Sequence, residues 1–169
     1  TSVEIGSKHQ LGSFNLTTAL YQYCIDNLIS CVGGFPCQNI NVDKASIKGA
    51  ELGINWQQNG LMLALNGSYN HAQDDITKND LLRRPRRSLS VSTGYQQATW
   101  GINGEILAKS HAFDAPVFGS IIPRRLAGYA VANIGAFIKP IPSTTLRVSL
   151  DNITDKAYGV AYSGATTRY

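Results

Sequence analysis

The spacing of the turns constrains this chain more than any other feature. Tight polar turns at His9–Ser13, Gln57–Gly60, Tyr95–Thr99 and Lys139–Thr144 alternate with long irregular connections over Ser30–Asn41, Gln73–Arg87 and His111–Ala127. Antiparallel strands joined in that phase have one plain end and one elaborate end. Bacterial transmembrane β-barrels are built this way, with short turns in the periplasm and long loops outside. The phase predicts eight antiparallel strands, the first descending and the last ascending, with both termini on the outer side. A complete barrel begins and ends in the periplasm, so the expected object is an interior piece of a larger barrel.

Within the strands the apolar residues recur with period two, as they do where one face is apolar and the other polar. Leu61, Leu63, Leu65, Gly67 and Tyr69 oppose Met62, Ala64, Asn66, Ser68 and Asn70. Leu89, Val91, Thr93 and Tyr95 oppose Ser88, Ser90, Ser92 and Gln96, and Trp100, Ile102 and Ile106 oppose Asn103, Glu105 and Lys109. Ala50, Leu52, Ile54 and Trp56 alternate with Glu51, Gly53 and Asn55, and Leu146, Val148 and Leu150 with Arg147, Ser149 and Asp151. The second strand loses the pattern after Leu20, where a bulge is expected. Around Tyr129–Ile138 both faces are apolar, and the pattern leaves the facing open.

A soluble β-sandwich has the same period. Two details favour a membrane wall. Phe14, Trp56, Tyr95, Trp100 and Phe137 lie at strand ends beside the short turns, as in the aromatic girdle of a membrane barrel. The opposite face carries Glu4, Lys8, Glu51, Glu105, Lys109, Arg147 and Asp151, too many charges for a sandwich interior and suitable for a wide wet lumen. No apolar run approaches the roughly 18 residues of a membrane helix. Thr1 opens directly on strand-like sequence, so any export signal is expected upstream of it.

The net charge of +4 gathers mainly at Arg83, Arg84, Arg86 and Arg87, without interleaved aromatics, which argues against a nucleic-acid groove. The cluster is expected to face lipopolysaccharide phosphates or to meet a plug in the lumen. Cys24, Cys31 and Cys37 lie near the first long connection. Gly33, Gly34 and Pro36 make a turn that suits a Cys31–Cys37 disulfide, with Cys24–Cys31 as a rival pairing. Free thiols are the alternative to a disulfide, and no metal site is expected there, because no histidine completes a tetrahedral set. His9, His71 and His111 lack the neighbours of a catalytic triad or metal centre, and Asp74, Asp75 and Asp80 lack calcium-loop spacing. Neither catalysis nor a cofactor is therefore expected.

Five segments, in order, resemble the C-terminal part of the barrel of TonB-dependent outer-membrane receptors. They are SVEIGSK at Ser2–Lys8, ASIKGAEL at Ala45–Leu52, LRRPRRS at Leu82–Ser88, LAGYAVANIGAF at Leu126–Phe137 and DNITDKAY at Asp151–Tyr158. Ile153 and Thr154 replace the family's usual Leu and Phe. Within the family, ITKNDLLRRPRRS and DKAYGVAYSGATTRY are most similar to vitamin B12 (cobalamin) receptors, while siderophore receptors share much of the same grammar.

The resemblance implies an all-β antiparallel transmembrane barrel of the 22-stranded, plugged class, of which residues 1–169 would supply about eight strands. The plug domain, TonB box, earlier strands and final strand would lie outside this stretch. It further implies a bacterial outer-membrane location, partnership with the TonB complex, and capture of cobalamin or a ferric siderophore by outer loops. A passive porin-like barrel, or a free-standing eight-stranded one, is the alternative. Ligand contacts are expected from Gly33–Gln38, Asp74–Leu82, Phe113–Ile122 and Tyr158–Tyr169. Phe35, Phe113, Phe118 and Tyr162, with Arg83 and Arg84, are the candidates, since a large, partly apolar ligand suits aromatic loop tips.

Overall fold

The structure is a computed structural model and describes residues 1–32, 38–116 and 122–161. Ten strands form in chain order: β1 Ser2–Leu11, β2 Phe14–Val32, β3 Gln38–Gln58, β4 Leu61–Asp74, β5 Arg87–Gln96, β6 Trp100–Lys109, β7 Ala112–Asp114, β8 Arg124–Leu126, β9 Tyr129–Ile141 and β10 Thr144–Leu150. Eight make one antiparallel sheet in the order β1-β2-β3-β4-β5-β6-β9-β10, and β7-β8 form a separate small hairpin inside a long connection. The sheet is open, since β1 and β10 occupy opposite edges. A closed eight-stranded barrel is thereby ruled out for these strands.

The short turns follow local chemistry. Asn59 and Gly60 both take positive φ (51° and 83°), the Asn-Gly pairing that matches the twist of a two-residue hairpin. Gly12, at φ 58°, closes β1 onto β2 with Leu11 opposite Phe14.

Cross-strand register fixes the faces. Leu20, Ala50, Tyr69 and Arg87 are successive neighbours in one row. Further along the strands Leu16, Ile54, Leu65, Val91 and Ile106 make another, which continues to Ala132 on β9. The alternating apolar positions of β2 to β6 therefore share one face. Ala132, Ile134, Ala136 and Ile138 of β9 join it, opposite Ile106, Gly104, Ile102 and Trp100. The facing left open by the sequence is settled by those neighbours.

Phe14 and Trp56 meet with ring centroids 6.0 Å apart, and Tyr95 and Trp100 at 5.5 Å, all on the apolar face at the short-turn end. Phe137 departs from the expected girdle. It lies on the polar face opposite Gly101 and Arg147. There the Arg147 guanidinium sits 5.4 Å and the Lys139 ammonium 5.8 Å from its ring centroid. Gly101 leaves the space that the ring occupies, because a Cβ there would come within 2.5 Å of it.

The expected bulge in β2 does not form. Its pairing with β3 keeps one register from Phe14↔Trp56 to Val32↔Gln38, and Asn27 accommodates the irregular stretch with φ 57°. The shift in register occurs instead between Thr144 and Leu146 of β10. A strand this straight also decides one cysteine question. Cys24 and Cys31 are seven residues apart on β2, roughly 23 Å at about 3.3 Å per residue, far beyond disulfide reach. Cys24 is a free, exposed thiol. The side chain of Cys31 and the whole of Cys37 lie outside the described residues.

Candidate extracellular binding site

Because a single sheet leaves both faces open, the buried side chains among the described residues gather at the long-loop end, the other buried positions being the sheet glycines Gly53, Gly94 and Gly101. At that end Ala45, Ala72, Ala112, Leu126 and Val131 are buried, along with one charged residue, Asp114. Ala72 and Val131 belong to the polar face, so it is the polar face that the connections cover.

The first of these connections links β4 to β5. Its opening turn is organised by Asp74, whose carboxylate accepts the amides of Ile76 (2.8 Å) and Thr77 (3.0 Å). The Thr77 and Ile76 amides hold this carboxyl below its ordinary range against the opposing effect of burial, with help from the Thr77 hydroxyl and the Lys78 charge. Asp75 is tied sideways to β3: its amide donates to the Lys44 carbonyl (2.9 Å) and its carboxylate accepts the Ser46 hydroxyl (2.6 Å). The chain then runs back beside β4, with the Leu81 amide donating to the Ala72 carbonyl and the Asn70 amide to the Arg86 carbonyl.

The arginine cluster is divided among separate tasks. Arg86 makes a two-point ion pair with Asp80 (Nη2–Oδ1 2.6 Å, Nε–Oδ2 3.1 Å), and His71 Nε2 lies 3.5 Å from the same guanidinium. That pairing raises the Arg86 pKa, despite some loss of hydration. Arg83, at φ 59°, reaches into the other long connection. Its amide donates to the Phe113 carbonyl (2.6 Å) and its Nε to Asp114 Oδ1 (2.6 Å). Asp114 is 1% exposed and also accepts the Ala115 amide at 2.8 Å. The connection around 75–86 and the β7–β8 hairpin are thus held together at one residue. Arg84 is exposed and Arg87 begins β5.

Phe113 sits on β7, edge-on to His111 with centroids 5.9 Å apart, and its carbonyl accepts the Arg83 amide. Phe35, Phe118 and Tyr162 lie outside the described residues. Sequence reasoning missed Asp114. The signal was present as a lone carboxylate in the apolar run HAFDAPVF, a setting that demands a cation or amide partner. It also missed an aromatic pair at this end, Tyr129 stacked on Tyr158 at 4.2 Å and 23°.

The DNITDKAY segment explains how Tyr158 gets there. The Asn152 amide donates to Asn133 Oδ1 (2.8 Å), while its side chain accepts the Lys156 amide (3.0 Å) and donates to the Lys156 carbonyl (3.1 Å). With Asn152 and Asp155 both at positive φ, β10 ends in a turn that sends the chain back towards β9. Among the described residues no group of three metal-ligating side chains converges.

A sequence model of the family described as "TonB dependent receptor-like, beta-barrel" matches residues 1–153. The chain belongs to this family of TonB-dependent receptors. Its sheet is accordingly a stretch of outer-membrane barrel wall, apolar face to lipid and polar face to the lumen. The "Vitamin B12 transporter BtuB" of Photobacterium profundum is 25% identical over 162 residues, covering 92% of this chain and 26% of that protein. Two solved structures share the fold at a TM-score of 0.78. The "Copper transporter OprC" is 16% identical over 95% of this chain and 26% of its own. The "Ferric-Catecholate import receptor Fiu" of E. coli K12 is 17% identical over 99% and 25%. The chain therefore spans about a quarter of the length of the proteins it matches. Members of the family are outer-membrane receptors and transporters.

Proposed function

We propose that this chain supplies wall and loop cover to a receptor that takes up cobalamin with energy from the TonB complex. The observation that carries the reading is the junction of two outer connections through Arg83, Phe113 and Asp114 over the lumenal face, where a ligand would first be held. Its supporting relative is the B12 transporter, matched over 92% of this chain. In this reading strands and a plug domain outside residues 1–169 complete the barrel. Phe35, Phe113, Phe118, Tyr162 and Arg84 contact the ligand, and Arg83 holds Phe113 in position. A Cys31–Cys37 disulfide would staple the tip between β2 and β3. Loop capture suits a ligand too large for ordinary porin channels, which must be concentrated at the surface before it is moved.

Titration of the intact receptor with cyanocobalamin and with a ferric siderophore tests this. Tight binding of cyanocobalamin that persists without TonB, with uptake lost, is the expected result. Removal of residues 113–122 should weaken binding and leave the wall folded. Tight binding of the siderophore alone would transfer the reading to ferric uptake, which the Fiu likeness favours.

A further inference from the structure

Asparagine is followed by glycine three times in the sequence, at Asn59–Gly60, Asn66–Gly67 and Asn103–Gly104. Asparagine is a thermally labile residue, and a following glycine offers its amide nitrogen with no side chain in the way. The same dipeptide in three settings leaves the fold as the variable. Two of the three are locked in the wall. Gly67 of β4 lies between Leu52 of β3 and Leu89 of β5, and Gly104 of β6 between Thr93 of β5 and Ile134 of β9. A residue flanked by strands on both sides has its amide committed to the ladder. Their asparagines also lie against neighbouring strands: a Cβ at Gly135 would come 2.8 Å from Asn103 Oδ1, and one at Gly53 3.4 Å from Asn66 Oδ1.

Asn59–Gly60 is placed differently. It is the two-residue loop of the β3–β4 hairpin, and Gln58 and Leu61 are the last ladder pair. Asn59 is exposed, with φ 51°, and Gly60 follows at φ 83°. The Gly60 carbonyl accepts the Gln96 amide at 2.8 Å, so the turn is fastened by its oxygen, while the Gly60 amide lies outside the ladder. Short turns of a barrel wall stand in periplasmic water.

We propose that Asn59 is a site of spontaneous deamidation in the folded receptor, while Asn66 and Asn103 persist as amides. The Gly60 nitrogen attacks Asn59 Cγ and a C–N bond forms. The proton lost by the Gly60 amide goes to the departing side-chain nitrogen, which leaves as ammonia. Water then opens the cyclic imide at either carbonyl, with no oxidant, metal or enzyme required. One opening gives aspartate, which the turn tolerates because Asp-Gly fits the same loop. The other gives isoaspartate, which routes the main chain through the side-chain carbon and lengthens a tight turn. That pulls the Gly60 carbonyl away from Gln96. Both openings add a carboxylate to the periplasmic rim. The left-handed pair that closes the hairpin is thus the pair that the ladder leaves unprotected. The proposal uses the position of the turn in the wall and is independent of the ligand carried through the lumen.

The test incubates the intact receptor, in neutral detergent and mildly alkaline buffer, and scores each asparagine peptide for acid and isoaspartate by mass spectrometry with electron-transfer fragmentation. Asn59 should convert on the order of tenfold faster than Asn66 or Asn103, because its reaction needs only the opening of a surface turn. In receptor unfolded by guanidinium chloride the three should convert at similar rates. Comparable rates in the folded receptor, or the same preference for Asn59 after unfolding, would overturn the proposal. So would an Asn59 that stays an amide in the folded receptor while the unfolded one converts. Amide exchange at Gln96 should accelerate in the isoaspartate fraction and stay unchanged in Asn59→Asp, which gains the acid without the longer main chain. Equal exchange in the two would sink the lengthened turn.

Discussion

At Asn152 the backbone takes φ 52°, and the side chain makes both hydrogen bonds to Lys156 that close the turn. Asn152→Ala removes the bonds and leaves a Cβ residue in the left-handed region, at a combined cost of about 2 kcal/mol. Asn152→Gly relieves the backbone and should cost less, so urea midpoints of the two variants separate the terms. The lipid face gives a second comparison. Arg at Leu63 should cost roughly 2–4 kcal/mol if it lies near the bilayer midplane, and Arg at Asn66, on the lumenal face, much less. Equal penalties would reject the assigned faces. Those faces were readable from the sequence because period two survives in β4, β5, β6, β10 and the Ala50–Trp56 part of β3. The division of labour among Arg83, Arg84, Arg86 and Arg87 was not. It depends on Asp80, six residues from Arg86, and on Asp114, thirty-one from Arg83, which only the folded loops bring into reach.

Among the elements, the β4–β5 connection is sensitive to acid. The Thr77 and Ile76 amides lower the Asp74 carboxyl pKa below its unfolded value. A group lowered in this way stabilises the turn above its unfolded pKa, and the contribution disappears as pH falls through the folded pKa. Amide exchange at Ile76 and Thr77 should therefore accelerate below the ordinary carboxylate range and stay flat near neutrality. The neighbouring link responds to substitution. Arg83→Ala leaves Asp114 buried without its guanidinium, so protease should cut the β7–β8 connection faster while the global unfolding midpoint barely moves. Element boundaries were legible at the short turns, where Gly12 and Asn59–Gly60 punctuate the chain. They were less so outside: β2 and β3 extend to Val32 and from Gln38, well into the stretch expected to be irregular. Inter-strand hydrogen bonding sustains a ribbon whose sequence carries no clear alternation. Facing in β9 needed the same non-local information, since Val131 and Phe137 are apolar on the polar face.

At the scale of the molecule, the open sheet leaves β1 and β10 with unpaired backbone groups along their outer sides. In hydrocarbon each such group costs several kcal/mol. Residues 1–169 expressed alone and refolded in detergent should give no heat-modifiable, protease-resistant band. A discrete folded band would mean that the edges find each other. The β2–β3 ribbon carries a different consequence. From Leu20, at the outer limit of the apolar band on β2, the strand continues twelve residues to Val32 in unbroken register. That is roughly 40 Å of strand, or roughly 30 Å of height at a barrel tilt of about 40°. β4 pairs with β3 only as far as Ala45, so beyond that point the ribbon rises clear of β4. An antibody or a bacteriophage tail approaching the cell would touch this mast before any other described part of the chain, well away from the junction at Arg83 and Asp114.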